Sequence, residues 1–365
     1  MPILAVLATL AAVILIFAVL WDAFETIILP RRVRRQVRLT LIVYKLTWGP
    51  WAAIARRIRN GGVRESFLSV FGPIALIFLL VVWAIALILG FGLLQWALES
   101  PLIAPEQRPG FGTYLYLSGT TFFTVGFGDV VPQAAAGRLV AVAEGGTGFG
   151  FLALVIGYLP VLYQAFSRRE VSVSLLDARA GSPPSAGELL RRHGDGVPRD
   201  ALPQFLYDWE RWCAELLESH LSYPSLSFFR SQHDNQSWLD ALTVVLDACA
   251  LVLAGVDDMP THQARLTFAM ARHAAVDLSQ ILGAKPLFTA KENRLPPCDL
   301  ARLRALLAKA GMQARDGPEA DKKLAHLRAM YEPYVAALAE LLVMPLPPWL
   351  PPTGARDDWQ TSPEE

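Results

Sequence analysis

The sequence of 365 residues is poor in cysteine, with only Cys213, Cys249 and Cys298. No two of them stand at a short paired spacing, which excludes a disulfide framework and a CxxC-based zinc site and suits a reducing cytosol. Net charge is also missing, since 33 Lys+Arg balance 33 Asp+Glu. That balance hides two unlike parts. Residues 1–166 carry 12 of the basic and 7 of the acidic residues, leaving 21 and 26 for the remainder. The C-terminal part is therefore mildly acidic, which argues against nucleic acid as a partner. It has no glycine fingerprint opening a strand-to-helix unit, so a dinucleotide-type domain is unsupported. No motif repeats along the chain.

Apolar residues, by contrast, are abundant at 53%. Three stretches, 3–21, 67–97 and 139–166, reach the roughly 20 mostly apolar residues that a bilayer core of about 30 Å demands. The first has no basic start and no small-residue cleavage site, so it reads as a retained span and not a signal peptide. Between the first two spans lie Arg31, Arg32, Arg34, Arg35, Arg38, Lys45, Arg56, Arg57, Arg59 and Arg64 against one acid, Glu65. This asymmetry predicts a cytoplasmic loop. The chain is then expected to be a multi-pass cell-membrane protein. Its N-terminus and residues 99–110, with Glu99 and Glu106, face outside, and everything after Arg168 faces the cytosol. Tyr44, Trp48, Trp51 and Ile58 recur at helical steps beside Arg56, Arg57 and Arg59, which predicts an interfacial helix suited to anionic lipid. Gly49 and Pro50 are expected to divide it into two short pieces. Arg32, Arg35 and Arg38 have the spacing of a voltage sensor, but Arg31, Arg34 and Gln36 fill the gaps with polarity. A solvated topology anchor is the better reading, with Asp22 and Glu25 as candidate partners.

The segment TTFFTVGFGDVVP, 120–132, follows only about a dozen residues of renewed apolar sequence, too few to cross a bilayer. The chain must enter and return. Non-helical backbone at membrane depth is tolerable only when buried in protein or lining water. Gly126 and Gly128 supply left-handed dihedrals freely. Alternating with Val125 and Phe127, they let successive carbonyls point the same way, which makes a site for a dehydrated cation.

Thr124-Val125-Gly126-Phe127-Gly128-Asp129 resembles the selectivity-filter signature of potassium channels, with Phe127 in place of the commoner tyrosine. Ser118 and Thr121 stand at the family's usual pore-helix offsets, and the likeness continues through Pro132 and Gly137-Arg138-Leu139. It covers roughly residues 67–166 and is similar to the bacterial class with two helices and one pore loop, here with an additional N-terminal span. The resemblance implies oxygen layers from the carbonyls of Thr124, Val125, Gly126 and Phe127, with the Thr124 hydroxyl innermost. It implies K+ as the permeant ion, Asp129 at the outer mouth, and a pore helix over about 113–123 aiming its negative end inward. One filter per chain implies a homotetramer. No cofactor and no enzymatic activity are expected. The second class of reading is a membrane-anchored signalling or interaction protein with a non-conducting pore-like domain.

In the third span, Gly148 falls where this class carries a hinge glycine, and Gly145 and Gly157 are further candidates. The run Glu144-Gly-Gly-Thr-Gly-Phe-Gly150 serves either bending or close helix packing. Glu144 is an ionisable group inside a span. It either faces the cavity or is a buried carboxyl hydrogen-bonded to the pore helix.

The expected fold is all-α, with three transmembrane helices, a re-entrant pore helix and filter, and an all-helical cytosolic domain. Its parts are a first span (1–29), a basic interfacial segment (30–66), a pore domain (67–166), a Gly/Ser/Pro linker (167–199), a helical domain (200–344) and a proline-rich tail (345–365) that is extended or disordered. Leu202, Leu206, Trp209, Cys213, Leu216 and His220 form one apolar helical face. Further patterns at 238–253, 266–282, 300–310 and 324–342 predict four to six helices, the last kinked or split at Pro333. In SFFRSQHDNQSW, a ligand or catalytic role for Arg230, His233 and Asp234 is weighed against capping of the next helix by Asp234 or Asn235, which is preferred. His262 and His273 read as single residues and not a metal pair. No tail ligand or protein partner is legible.

Overall fold

The computed structural model describes residues 2–29, 39–233, 235–256, 259, 261–288, 293–352 and 354. Among the described residues its regular structure is helical apart from one two-residue ladder and an isolated bridge between Val256 and Ala314, and it divides into two compact units, Met1–Pro50 with Pro73–Tyr163, and Trp51–Gly72 with Gln164–Glu365. In chain order the helices of the first part are α1 (Pro2–Ala23), α2 (Leu39–Ala55), α3 (Gly61–Ser69), α4 (Phe71–Ala97), α5 (Phe111–Phe122) and α6 (Ala135–Ala180). The strands β1 (Leu102–Ile103) and β2 (Val131–Pro132) pair antiparallel on either side of α5.

In the first unit α1 is apolar all round, and Ile3, Leu10, Ile14 and Phe17 are exposed on it. A helix of this kind requires a hydrocarbon environment. The helical stretches Ile3–Ile28, Gly61–Ala97 and Ala135–Ala180 are long and apolar enough to span a membrane. Asp22 is the exception within α1. It is buried and accepts from the Thr40 amide (3.1 Å), the Thr40 hydroxyl (2.6 Å) and Trp83 Nε1 (3.0 Å), so one carboxylate joins α1, α2 and α4. Glu25, in the π-helical turn Phe24–Ile28, accepts from Trp21 Nε1 at 2.8 Å. The arginines 31–38, proposed above as anchor and as partners of these acids, lie outside the described residues.

Contrary to the expected break at Gly49-Pro50, α2 runs through Pro50. Pro50 has no amide to donate to the carbonyl four residues back, so one hydrogen bond of the helix is missing there. In the second unit Trp51 stacks on Phe67 at 4.5 Å and donates from Nε1 to the Phe67 carbonyl at 3.2 Å.

The second unit adds α7 (Ala186–Arg192), α8 (Ala201–Ser222), a 3-10 turn (Pro224–Phe228), α9 (Trp238–Gly255), α10 (Thr261–Leu282), α11 (Pro297–Lys309), α12 (Pro318–Ala329) and α13 (Glu332–Leu342). Six α-helices, α8 to α13, thus fall within residues 200–344 among the described residues, in the expected range of four to six, and α7 precedes them. By length and composition α9 is also a candidate span, yet Trp238, Leu242, Val245, Leu246 and Cys249 are all fully buried inside the domain. It is the core helix around which α8, α10 and α12 pack. Its cap is Ser237, whose Oγ accepts from the Asp240 amide at 3.0 Å, and not Asn235; Asp234 lies outside the described residues. The split near Pro333 occurs as expected, with Pro333 in the first turn of α13.

Two stretches differ from the sequence reading. Residues 167–199 are no simple linker, because α6 continues to Ala180 and α7 buries Leu189 and Leu190 completely. Residues 345–352 belong to the domain. There Trp349 is buried, Arg294 lies over its ring at 5.6 Å and donates from Nη2 to the Pro347 carbonyl at 3.0 Å, and the Gly187 amide donates to the Trp349 carbonyl at 2.9 Å. Residues 355–365 lie outside the described ones. The same Arg294 pairs with the fully buried Asp247 at 2.7 Å, which also receives the Tyr331 hydroxyl. A lone buried carboxylate would be costly, and two donors compensate it.

His220 on α8 is fully buried, with Nδ1 2.8 Å from the Leu216 carbonyl and Nε2 3.3 Å from an Arg169 nitrogen. A guanidinium has no acceptor, so Nε2 accepts and Nδ1–H donates, and the ring is neutral. Burial first, and the Arg169 charge second, push its pKa down to about 3. Because protonation favours the unfolded chain, the stability that neutral His220 contributes is complete above pH 6.5 and is lost as pH falls toward 3. Relative to His220→Gln, the wild type should lose about tenfold in folding equilibrium per pH unit across that window. Denaturant unfolding of the full-length protein at a series of pH values, followed by tryptophan fluorescence, measures the difference.

Candidate functional site

The site is built at the end of α5. Twelve helical residues extend about 18 Å at 1.5 Å per residue, so α5 ends well short of a bilayer's full depth. Its last turn then captures the chain that follows. The Phe123 amide donates to the Gly119 carbonyl (3.1 Å), that of Thr124 to Thr121 (3.0 Å), and those of Val125 (2.8 Å) and Gly126 (3.3 Å) both to Thr120.

From there the backbone alternates. Thr124, Gly126 and Gly128 have φ of 55°, 53° and 80°, while Val125 and Phe127 between them stay out of that region. Left-handed φ at every second residue is what turns successive carbonyls to one side of a strand. Glycine takes it without strain, whereas a threonine there is held by its surroundings. The outer end is tied back to α5 by Tyr116, whose hydroxyl donates to Asp129 Oδ2 at 3.0 Å. The β1–β2 ladder and the Gln133 amide donating to the Pro101 carbonyl (2.8 Å) close the loop onto the segment after α4.

Behind the loop, Ser118 sits where three helices meet. Its Oγ is 2.8 Å from the Ile88 carbonyl of α4 and hydrogen-bonded to the Glu144 carboxyl of α6. Glu144 is completely buried even in the single chain. Of the two readings the sequence allowed, the structure has the carboxyl bonded to the helix before the loop. One buried polar cluster therefore ties α4, α5 and α6 together.

The three glycines proposed as hinges separate. A Cβ on Gly148 would overlap the Phe122 carbonyl, so this glycine lets α6 lie directly on the end of α5. At Gly145 a Cβ would meet Thr121 Cγ2 at an ordinary 3.8 Å, and at Gly157 nothing within 4 Å. α6 is helical past both Gly157 and Pro160.

The sequence reading placed Thr124 to Asp129 but missed Tyr116 and Thr120, which fix the two ends of the loop. Tyr116 acts through its hydroxyl and Thr120 through its backbone carbonyl, and a backbone contact leaves no signal in residue type. Arg230 and His233 lie in the second unit, where both line a cavity of about 410 Å³. Among the described residues no group of three or more His, Cys, Asp or Glu suits a metal ion. His262 and His273 both stand in α10, where His273 Nε2 lies 3.9 Å from Asp277 Oδ2, and neither belongs to such a group.

Residues 74–164 match a family model described as "Ion channel". A similar protein is "Uncharacterized membrane protein YdjJ" of Bacillus subtilis (strain 168), 23% identical over 200 residues, covering 54% of this chain and 58% of the relative. "Protein LctB" of Bacillus caldotenax is 33% identical over 90 residues, 22% of this chain and 66% of the relative. The chain thus spans under two thirds of the length of either. No solved structure matches it. The segment holding α4, α5, the loop and most of α6 is therefore of ion-channel type, within a membrane protein.

Gly148→Ala should force α6 away from Phe122 and destabilise the protein by about 1–3 kcal/mol, the usual cost of overpacking. Gly157→Ala carries no such clash. Thermal unfolding of the two variants in detergent, compared with wild type, should rank Gly148→Ala well below both.

Proposed function

We propose that the chain is one subunit of a potassium-selective channel, in which four copies bring their 124–128 backbones around a common axis. The observation that carries this reading is the left-handed φ at Thr124, Gly126 and Gly128, at the end of a helix too short to cross the bilayer. Carbonyls stacked along one axis replace the water of a dehydrated cation. The potassium identity comes from the resemblance of TVGFGD to potassium-channel filters. Asp129, braced by Tyr116, stands at the outer end, where its charge gathers cations.

The tetramer is supported by what one chain leaves uncovered. Val125 and Phe127 are 51% and 72% exposed, as is an apolar stripe of α6 that includes Val142, Phe149 and Ile156. Lipid and neighbouring copies are the natural cover for these groups. In this reading the N-terminus is outside and the second unit cytosolic, an orientation supported by the basic residues of segment 31–64.

Purified protein in liposomes should take up rubidium or potassium strongly in preference to sodium, and barium should stop the flux. Gly126→Ala places a side chain at φ 53°, costing about 1–2 kcal/mol for left-handed backbone. That variant should lose the preference or the flux. A wild type that passes no cation across a range of pH, calcium and voltage would instead favour a membrane-anchored interaction protein.

A further inference from the structure

The first unit holds a cavity of about 550 Å³ between the end of α1, α4 and α6, which the channel reading does not use. Its volume lies in the range of small-molecule sites. Leu20, Phe24 and Ile28 form one wall, and Gly150, Phe151 and Leu154 form the other. These walls are open and not sealed by packing, since Leu20, Phe24, Ile28 and Leu154 are 41%, 38%, 49% and 36% exposed. Phe24 and Ile28 are the two ends of the π-helical turn, a rare form that recurs at functional sites.

The lining determines what can fill it. Among the described residues around the cavity Thr147 alone has a polar side chain, and its hydroxyl already donates to the Ala143 carbonyl at 2.8 Å. Water held in a cavity needs about two to four polar partners, which this lining does not supply. Left empty, the walls forfeit their dispersion contacts. All three helices belong to stretches able to span a membrane, so the medium at the mouth is lipid hydrocarbon. A second copy of the chain fits less well. On α6 the positions 147, 150, 151 and 154 and the exposed stripe of Val142, Phe149 and Ile156 are centred about 150° apart at 3.6 residues per turn. The cavity therefore faces away from the side that the tetramer reading offers to neighbouring copies.

We propose that the cavity is a binding site for one acyl chain of a membrane phospholipid, held between α1 and α6 firmly enough to stay when the surrounding bilayer is removed. The bound chain touches the support of the 124–128 loop through one side chain. Phe151, in the cavity wall, has its ring 5.7 Å from that of Phe122, the last residue of α5.

Full-length protein reconstituted in vesicles of phosphatidylethanolamine and phosphatidylglycerol, re-extracted in detergent and weighed by native mass spectrometry, should carry one phospholipid per chain. A count per chain does not depend on whether four copies assemble or pass ions. Gly150→Phe should lower the retained phospholipid at least tenfold, because a Cβ there meets nothing within 4 Å and the ring enters the cavity without a backbone clash. Gly157→Phe, equally free of a clash and outside the cavity, should retain it. A comparison on the wild type needs no variant. Phosphatidylcholine with a diazirine midway along one acyl chain should crosslink within residues 147–154 after re-extraction, and the same lipid with the diazirine on its headgroup should not. No phospholipid on the wild type, retention of free fatty acid alone, equal retention in Gly150→Phe, equal loss in Gly157→Phe, or crosslinking there by the headgroup probe alone would overturn the assignment.

Discussion

Inside a hydrocarbon layer a peptide group without a hydrogen-bond partner costs several kcal/mol, and the rest of this structure follows from how that constraint is met after Phe122. The Thr120 carbonyl accepts from both Val125 and Gly126, so the last turn of α5 serves as the anchor for a strand that is no longer helical. With those amides engaged by the helix, the carbonyls of the loop are left for another ligand. The anchor works only if α5 itself is held, which explains the convergence behind it. Ser118 bonds Glu144 and approaches Ile88, while Gly148 lets α6 press on Phe122. An ionisable group within a span thereby acts as a brace for the loop's support.

The second unit is built around one buried helix. α9, as apolar as a membrane helix, is wrapped by other helices, and its buried charges are compensated in the main. Asp247, Arg294, Tyr331 and Trp349 form one interlocked group that draws the proline-rich stretch onto the core.

Much of this was legible in the sequence, for reasons that differ by residue. Gly126 and Gly128 announced left-handed backbone because glycine has little other use between two spans. Thr124 did not, since a threonine at φ 55° is imposed by hydrogen bonds made across the loop. The apolar face of α8 was read correctly down to His220 because its period is local. The stretch 167–199 was misread because Gly, Ser and Pro signal a linker, whereas the burial of Leu189 and Leu190 is decided by residues far along the chain. The same holds for Trp349. Gly148 could be a hinge or a packing glycine from sequence alone, and only the position of the Phe122 carbonyl decides between them.

The central claim is that carbonyls of residues 124–127 from four chains coordinate a row of dehydrated potassium ions. Its most direct test is a crystal or cryo-electron microscopy structure of the full-length protein in potassium, paired with anomalous diffraction after exchange to thallium or rubidium. The account predicts a fourfold assembly with heavy-ion density on its axis, in successive layers level with the carbonyls of Thr124, Val125, Gly126 and Phe127. A structure in which this loop faces no axis, or an axis with no ion at those levels in saturating potassium, would contradict it.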